Sequence, residues 1–362
     1  MSQLCNRVRA FALAGTFALV ALLGAGALAA TATAATPEYT LKTFSSGPGS
    51  TKFLSINENG DIVGTGGGDA ASTTENGFLL KAGASKPLFL ESAEKFEEKP
   101  SFDEPFALNN SDLIVGQSFG ETPVFGNVAT NWHDSSQPFR FGLFTEEEED
   151  SAHDVNNNDE VVGSSARGAW VIGTSEKSTS VTKFLPALAS GKGTDAQAIN
   201  ESGVIVGDAE TATGTTVAAE WKGGKISSLG ALPKGGLAAA LAVNSAGEAV
   251  GISTTEAGDF AERHAALYAG GKVTRITVPG EVGESFANAI NGKGVVVGEA
   301  SLSTGGHAFV YQKGTATDLN TLIASGSGVT LDSAAAINEK GVIVGTATKG
   351  EELVGFELTP IA

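Results

Sequence analysis

Beyond residue 36, the hydrophobic positions of the chain fall into short runs separated by polar or glycine-rich turns. The segment AAINEKGVIVG at residues 335–345 is representative: small apolar residues, a turn, β-branched residues and a closing Gly follow one another. Short apolar runs bounded by turn residues are typical of β-strands. The same part of the sequence contains no stretch with the helical period of about 3.6 residues. The pattern therefore predicts an all-β protein.

Nearly the same segment occurs seven times, with an Asn at the start of the turn and a Gly seven positions after it. Successive copies are 44–52 residues apart, which is a typical length for a propeller blade of four short strands. The sequence therefore predicts a single domain over residues 36–362, folded as a seven-bladed β-propeller of four-stranded blades. The repeated Asn residues are Asn57, Asn109, Asn156, Asn200, Asn244, Asn291 and Asn338. The repeated Gly residues are Gly64, Gly116, Gly163, Gly207, Gly251, Gly298 and Gly345.

The Asn-x-x-Gly segment of each copy predicts a β-hairpin turn. An Asn side chain can bond to the backbone two residues later, and a Gly three positions after it adopts the left-handed conformation that the loop requires. Two copies have Asp112 and Asp159 in place of this Gly, and Asp is among the few other residues that tolerate positive φ. The second Gly of each copy, at the end of the β-branched run, indicates a close approach between two backbones.

The composition of the strands indicates their order in a blade. The strand before the Asn is rich in Ala, as expected for the crowded innermost strand, and a later third strand carries aromatic residues that we expect to pack between blades. These aromatic residues are Phe78, Trp170, Trp221, Tyr268, Phe309, Tyr311 and Phe356. The last copy stops after its third strand, while YTLKTF from Tyr39 matches a fourth strand. We therefore expect the N-terminal strand to close the ring and remove its exposed edge.

The repeat resembles a known family. The unit A-x-A-I-N-x-x-G-x-V-V-G, followed by His307-Ala308-Phe309 and the segment TDLNTL, is similar to the HAF-repeat family of predicted bacterial extracellular proteins. The resemblance is strong from about residue 180 onward and looser before it, with a poor match and an expected insertion between residues 117 and 153. It implies an exported, propeller-like repeat protein, and it supplies no activity and no catalytic residues.

The first 35 residues have the three-part layout of a secretory signal peptide. Arg7 and Arg9 precede an uncharged run rich in Ala and Leu, which ends in two A-x-A sites at residues 27–29 and 32–34. The alternative is an uncleaved membrane anchor, because the apolar run approaches the roughly 20 residues that span a bilayer. We expect cleavage and a secreted, extracellular protein. Cys5, the only cysteine, would then be lost, leaving no disulfide and no thiol nucleophile.

The charge of the chain limits its partners. The formal net charge is −18 at pH 7, and removal of the segment that holds Arg7 and Arg9 makes it more negative. Nucleic acids and anionic membrane surfaces both require a basic footprint, so we expect neither as a partner after signal cleavage. A strongly negative charge also keeps a secreted domain soluble through self-repulsion.

The sequence contains few candidates for chemistry. Ser118 lies in a G-x-S-x-G match, but it follows a strand without a subsequent helix, which the nucleophile elbow of serine hydrolases requires. The histidines show no spacing typical of a catalytic zinc site. Asp154, Asn156 and Asn158 have the 1, 3, 5 spacing of a calcium loop, but the loop lacks the Gly at position six and the Glu at position twelve. They are a weak calcium candidate, and no other cofactor is expected.

Two functions from different classes remain open. The first is a non-catalytic binding or adhesion module whose loops meet an extracellular carbohydrate or a cell-surface protein. The second is an extracellular hydrolase or lyase that cleaves polysaccharides or esters with loop carboxylates or histidines. Because no specific catalytic constellation is present, we favour the binding module, with its ligand at the loops opposite the Asn turns and at the mouth of the central channel.

Overall fold

The structure is a computed structural model that describes residues 38–361, except residue 48 and segments 68–74, 92–101, 121–125, 134–135, 142–149, 174–182 and 259–261. The predicted signal peptide and Cys5 lie outside the described residues. In the part of the chain that is described, no helix has the length and hydrophobicity needed to cross a membrane.

The described strands form seven antiparallel sheets of four strands each, as the repeats predict. Blade 1 contains β2 (Thr51–Ile56), β3 (Ile62–Gly67), β4 (Glu75–Leu80) and β5 (Leu88–Phe89). Blade 2 contains β6 (Phe102–Leu108), β7 (Leu113–Gly120), β8 (Gly126–His133) and β9 (Ser136–Arg140). Blade 3 contains β10 (Asp150–Val155), β11 (Glu160–Ser165), β12 (Gly168–Gly173) and β13 (Lys183–Phe184). Blade 4 contains β14 (Thr194–Ile199), β15 (Ile205–Glu210), β16 (Thr216–Lys222) and β17 (Lys225–Gly230).

The remaining blades follow the same plan. Blade 5 contains β18 (Ala238–Val243), β19 (Ala249–Thr254), β20 (Arg263–Ala269) and β21 (Lys272–Arg275). Blade 6 contains β22 (Glu281–Ile290), β23 (Val296–Leu302), β24 (Gly305–Gln312) and β25 (Thr315–Asp318), followed by a 3₁₀ turn at Leu319–Thr321. Blade 7 contains β26 (Val329–Ile337), β27 (Ile343–Lys349), β28 (Glu352–Pro360) and β1 (Tyr39–Phe44).

The blades close into a ring. The first strand of each blade contacts the first strand of the next, and β26 of blade 7 contacts β2 of blade 1. The outermost strand of blade 7 is β1, which pairs antiparallel with β28 from Tyr39 opposite Pro360 to Phe44 opposite Gly355. The predicted seven-bladed propeller, closed by the N-terminal strand, is thus confirmed.

The Asn turns adopt the predicted geometry. In blade 4 the amide N–H of Gly203 donates to the carbonyl of Asn200, and Gly203 has a φ of +72°. Where the Gly is replaced, Asp112 and Asp159 take the same left-handed conformation, with φ of 64° and 57°. All seven turns lie on one face of the ring, which we call the turn face. The hairpins between second and third strands and the links between blades lie on the opposite face, the long-loop face.

A ring of hydrogen bonds joins the blades at the turn face. The Nδ2 amide of each repeated Asn donates to the backbone carbonyl of the equivalent Asn in the next blade, over 2.9–3.2 Å. The last bond runs from Asn338 to Asn57, so the circle is complete. The Oδ1 atom of the same side chain accepts backbone N–H groups inside its own turn; Oδ1 of Asn200, for example, accepts from Ser202 and Val204 at 3.0 Å.

The second repeated Gly permits a bulge in the innermost strand of every blade. Each of these Gly residues pairs with the inner-strand residue just before a shift in register, as Gly207 does with Ala196. A Cβ atom at Gly207 would overlap the carbonyl oxygen of Asp195, and the corresponding overlap occurs at all seven positions. The predicted close approach of two backbones is confirmed, and the bulge explains it.

Aromatic residues fill the space between blades, as predicted. The third-strand residues Phe78, Trp170, Trp221, Tyr268, Phe309 and Phe356 are buried. Tyr311 is only half-buried and packs at the edge of a core cluster. Trp132 in β8 serves the same role in blade 2, where its indole N–H donates to the carbonyl of Glu91 at 2.9 Å.

We predict that Gly207→Ala lowers the free energy of unfolding by more than about 4 kcal/mol or abolishes folding, because its Cβ would overlap backbone that cannot move aside. The control is Gly193→Ala, where a Cβ would meet nothing within 4 Å. Urea unfolding of both variants tests this, with a change below about 1 kcal/mol expected for the control. Equal stability of the two variants would contradict the role assigned to Gly207.

Candidate functional site

A cavity of about 220 Å³ lies on the axis of the ring, between the Asn ring and the long-loop face. Its wall consists mainly of inner-strand residues two and three positions before the ring Asn. The residues at minus two are Ser55, Ala107, Asp154, Ala198, Ala242, Ala289 and Ala336. Small side chains dominate this circle, which keeps the axis open. The innermost position of the Ala-rich strand is thereby confirmed.

The residues at minus three are those left unpaired by the bulges, and they give the cavity its character. Leu54, Phe106 and Leu241 contribute apolar surface, while His153 and Asn288 contribute polar groups. The polar pair also ties adjacent blades together, since His153 Nδ1 lies 2.7 Å from the carbonyl of Ala196 and Asn288 Nδ2 donates to that of Ala334 at 3.0 Å. The cavity is therefore amphipathic, and its lining side chains are held in place.

Two carboxylates line the cavity. Asp154 accepts backbone N–H groups from Val155 in its own strand and from Ile199 in the next blade, both at 2.9 Å. Glu104 accepts from Nε2 of Gln117 at 3.0 Å. Asp154 and Glu104 are both half-buried. Among the described residues that line the cavity there is no Lys and no Arg.

A charged rim lies between blades 5 and 6. The guanidinium of Arg263 binds the Glu284 carboxylate through two bonds, Nε to Oε1 at 2.7 Å and Nη2 to Oε2 at 2.8 Å. Its central carbon lies 5.1 Å from the ring centre of Phe286, an arrangement that favours a cation–π contact. Such a bidentate pair fixes the orientation of both side chains on the long-loop side of β22.

Glu299 and Asp332 form the acidic part of the rim between blades 6 and 7. The pKa of Glu299 is raised to about 7, chiefly by burial and also by the negative charges of Asp332 and Glu284, against a hydrogen bond from Ser333 and the positive charge of Arg263. Burial also raises the pKa of Asp332, against a hydrogen bond from Thr348 at 2.7 Å. Ser333, which bonds to Glu299 in the rim, also lines the cavity.

Two histidines occupy equivalent positions in third strands, and each binds a carboxylate. His264 Nδ1 lies 3.0 Å from Oε1 of Glu281. His307 Nδ1 lies 2.7 Å from Oδ2 of Asp318, and its Nε2 lies 2.9 Å from the hydroxyl of Thr304. With the Nδ1 proton on the Asp318 side, Nε2 is an acceptor and Thr304 the donor, so the three side chains form a hydroxyl–imidazole–carboxylate chain.

The calcium candidate residues point to different hydrogen-bond partners. Oδ1 of Asn156 accepts N–H groups of its own turn, those of Asn158 and Glu160, each at 3.0 Å. The Asn158 amide donates to the carbonyl of Glu201 at 3.1 Å. The Asp154 oxygens face the backbone groups described above. Among the described residues, no three His, Cys, Asp or Glu side chains are grouped as metal ligands would be. Calcium binding stays a prediction.

Ser118, whose sequence context disfavours a role as nucleophile, lies fully buried within β7. Its hydroxyl donates to Oδ1 of Asp103 at 2.5 Å. The cavity carboxylate Glu104 and the rim residues were not identified from sequence. The only signal for them is their offset from the repeat: Glu299, for instance, follows the repeated Gly298 directly.

One comparison with a solved structure supports the β-propeller fold, and at its low identity it shows the fold alone. The β-propeller domain of the Trilobed protease from Pyrococcus furiosus matches with a TM-score of 0.51 and 12% identity, covering 85% of this chain and 95% of that one. An acylaminoacyl peptidase from Pyrococcus horikoshii matches with a TM-score of 0.48 and 10% identity over 82% of this chain. This chain spans about half of that peptidase, 49%. No protein-family model matches the chain, and no curated protein sequence is similar to it.

We predict that Glu299→Gln changes the pH dependence of stability. Since the pKa of Glu299 in the folded protein, about 7, lies above its ordinary value, the folded state holds this proton more tightly than the unfolded state. The stability that this provides is present below about pH 4.5 and is lost as pH rises through 7. In thermal unfolding between pH 5 and 8.5, the stability of the variant relative to the wild type should increase as the pH rises. The control is Glu351→Gln, at an exposed position on the same face, whose stability relative to the wild type should be the same at every pH. If the stability of Glu299→Gln also ran parallel to that of the wild type across this pH range, the raised pKa of Glu299 would be contradicted.

Proposed function

We propose that the protein is a secreted, non-catalytic binding module whose ligand enters the axial cavity from the long-loop face. The observation that carries this proposal is the cavity itself. It combines apolar surface from Leu54, Phe106 and Leu241 with hydrogen-bonding groups from Asp154 and Asn288. Ligand sites in proteins have this composition, an apolar wall with a few fixed polar groups.

The proposed ligand class is carbohydrate, with a cell-surface protein as the broader alternative. Sugar rings present both hydroxyls and apolar C–H faces, which match the two kinds of wall in the cavity. The net charge of −18 disfavours nucleic acids and anionic lipid surfaces. Secretion rests on the signal-peptide layout of residues 1–35, and an extracellular carbohydrate partner is compatible with the resemblance to the HAF-repeat family.

A rigid scaffold supports ligand binding in the cavity. The Asn ring and the strand-to-strand pairing hold all seven inner strands in fixed positions, so the cavity is formed before a ligand arrives. A preformed site avoids the ordering cost that flexible loops incur on binding.

The second candidate function is an extracellular hydrolase acting on esters or polysaccharides. The observation in its favour is the chain of Thr304, His307 and Asp318, in which a hydroxyl contacts an imidazole that a carboxylate orients. This is the relation that activates a hydroxyl for attack on an acyl carbon. Thr304 lies on an exposed hairpin, away from the cavity, so the two candidate functions occupy separate places in blade 6 and on the axis.

We predict that the purified protein is retained on one or more insoluble polysaccharides without releasing soluble sugar. The test incubates it with a panel of insoluble and soluble polysaccharides and measures both bound protein and released product. Ala335→Leu should abolish retention by filling the cavity, and it should fold normally because Leu54 and Leu241 occupy the same position in two other blades. The control is Ala324→Leu, at an exposed position.

Three outcomes separate the alternatives. Retention that Ala335→Leu removes and Ala324→Leu preserves supports binding in the cavity. Product release that His307→Ala abolishes would instead favour the hydrolase. If Ala335→Leu is retained as well as the wild type, the ligand binds somewhere other than the axial cavity.

A further inference from the structure

The lining of the axial cavity shows where the cavity ends. Its residues on the first strands lie two to five positions before the ring Asn, and Thr346 lies on a second strand. None of the described lining residues is a ring Asn or belongs to an Asn turn. The cavity therefore ends above the Asn ring, and a ligand enters it from the long-loop face alone.

The volume of the cavity limits how much of a sugar chain it can enclose. A cavity of about 150 Å³ is sufficient for a benzene molecule. The 220 Å³ on the axis therefore accommodates a single six-membered sugar ring with its substituents, and two linked rings exceed it. Every internal ring of a sugar chain has a neighbour on both sides. Because the cavity has one entrance and holds one ring, the ring that fits is the last one of a chain.

Asn288 places a fixed hydrogen-bond acceptor in the cavity wall. It is the residue left unpaired by the bulge in β22, and its Nδ2 donates to the carbonyl of Ala334 in the next blade at 3.0 Å. This bond orients the amide and directs Oδ1 away from Ala334. Oδ1 accepts no hydrogen bond from any described residue, and the side chain is half-buried at the cavity surface. A ligand hydroxyl, which can donate, matches this oxygen.

The other neutral polar groups of the cavity share one arc with Asn288. This arc spans blades 6, 7 and 1, and its amide and hydroxyl groups belong to Asn288, Ser333, Thr346 and Ser55. The blades on either side of the arc contribute apolar surface, Leu241 from blade 5 and Phe106 from blade 2. A sugar ring has the same distribution, with hydroxyls around its edge and C–H groups on its faces. With one edge toward blade 7, its two faces turn toward Leu241 and Phe106.

We propose that the cavity recognises the end of a sugar chain by enclosing its terminal ring, with Asn288 accepting a hydrogen bond from one hydroxyl of that ring. The proposal rests on the carbohydrate-binding function above and deepens it, since it states which part of the chain is bound. The remaining rings leave the cavity past Ser333 and Thr346 toward the long-loop face. Binding therefore depends on the number of chain ends and not on the length of the chains.

Calorimetric titration with sugar chains of two lengths tests the proposal. The probes are the disaccharide and the hexasaccharide of cellulose, chitin, xylan and starch. In a series that binds, each chain should bind one protein molecule, and the two lengths should bind with equal affinity, because the terminal ring alone enters the cavity. Each hexasaccharide is also titrated after borohydride reduction, which opens the ring at its reducing end. Loss of binding then assigns the reducing end, and unchanged binding assigns the opposite end.

A variant pair locates the bound ring. Asn288→Leu removes the acceptor and should weaken binding by about tenfold, because a hydroxyl of the ligand would then face hydrocarbon. The variant should fold, since Leu54 and Leu241 occupy the equivalent bulge position in two other blades. Asn59→Leu is the control: it removes an amide-to-carbonyl bond of 3.0 Å between blades at the turn face and should leave affinity unchanged. Thermal unfolding checks that both variants fold. Unchanged affinity in Asn288→Leu would overturn the role given to Asn288.

The other outcomes overturn the proposal in distinguishable ways. Affinity that rises with chain length, or several protein molecules on one hexasaccharide, would show binding to internal rings; chain-end recognition fails and carbohydrate binding stands. Retention on an insoluble polysaccharide without binding of either oligosaccharide from it would also reject chain-end recognition and leave the proposed function intact. Absence of both retention and oligosaccharide binding would overturn this proposal and the proposed function together.

Discussion

The amide side chain of the repeated Asn connects the local fold of each blade with the closure of the whole ring. Its oxygen organises the turn between the first two strands, and its nitrogen donates to the carbonyl of the next blade at all seven junctions. Only an amide can do both, because a hydroxyl is too short and a carboxylate has no donor. The bonds are buried, so an unmade bond would leave a polar group without water. This requirement explains why Asn stands at this position in every copy.

The repeated Gly supplies the second constraint. A Cβ at this position would overlap the carbonyl oxygen of the inner strand, so only Gly allows the two backbones to approach this closely. The close approach accompanies a bulge that leaves one extra, unpaired residue in the inner strand of each blade. Six of these seven extra residues, Phe106, His153 and Asn288 among them, line the cavity. The features that close the ring and those that furnish the candidate binding site are therefore neighbours on the same seven strands. The scaffold is repeated, whereas the side chains it presents differ from blade to blade.

Most of the fold follows from the sequence because it depends on local rules. The turns at Asn200 and Asp159, the close approach at Gly207 and the strand order were all predicted from spacing and residue type. The hydrogen bond from the Asn amide nitrogen to the next blade could not be predicted, because the Asn-x-x-Gly turn requires only the side-chain oxygen. Trp132 was missed because the repeat pattern is weak in blade 2.

The candidate site was less accessible to sequence analysis. The sequence predicts that the ligand binds at the mouth of the channel, but it does not identify the side chains that line this region. The bulges in the inner strands decide which side chains these are. Glu104 and Asp154 lie at different offsets from the ring Asn, so no linear motif unites them. The altered pKa of Glu299 arises from burial and from charges contributed by neighbouring strands, which only the three-dimensional arrangement reveals.

The central claim is that the Asn ring couples the blades into one unit, and Asn200→Asp tests it most directly. The substitution keeps the oxygen that organises the turn and replaces the donor to the Asn244 carbonyl with a carboxylate oxygen. Asn59→Asp is the control, because the Asn59 amide makes the same kind of bond to a neighbouring carbonyl at an exposed position. Urea unfolding should show a loss of about 2–4 kcal/mol for Asn200→Asp and less than about 1 kcal/mol for the control. Equal stability of the two variants would contradict the claim.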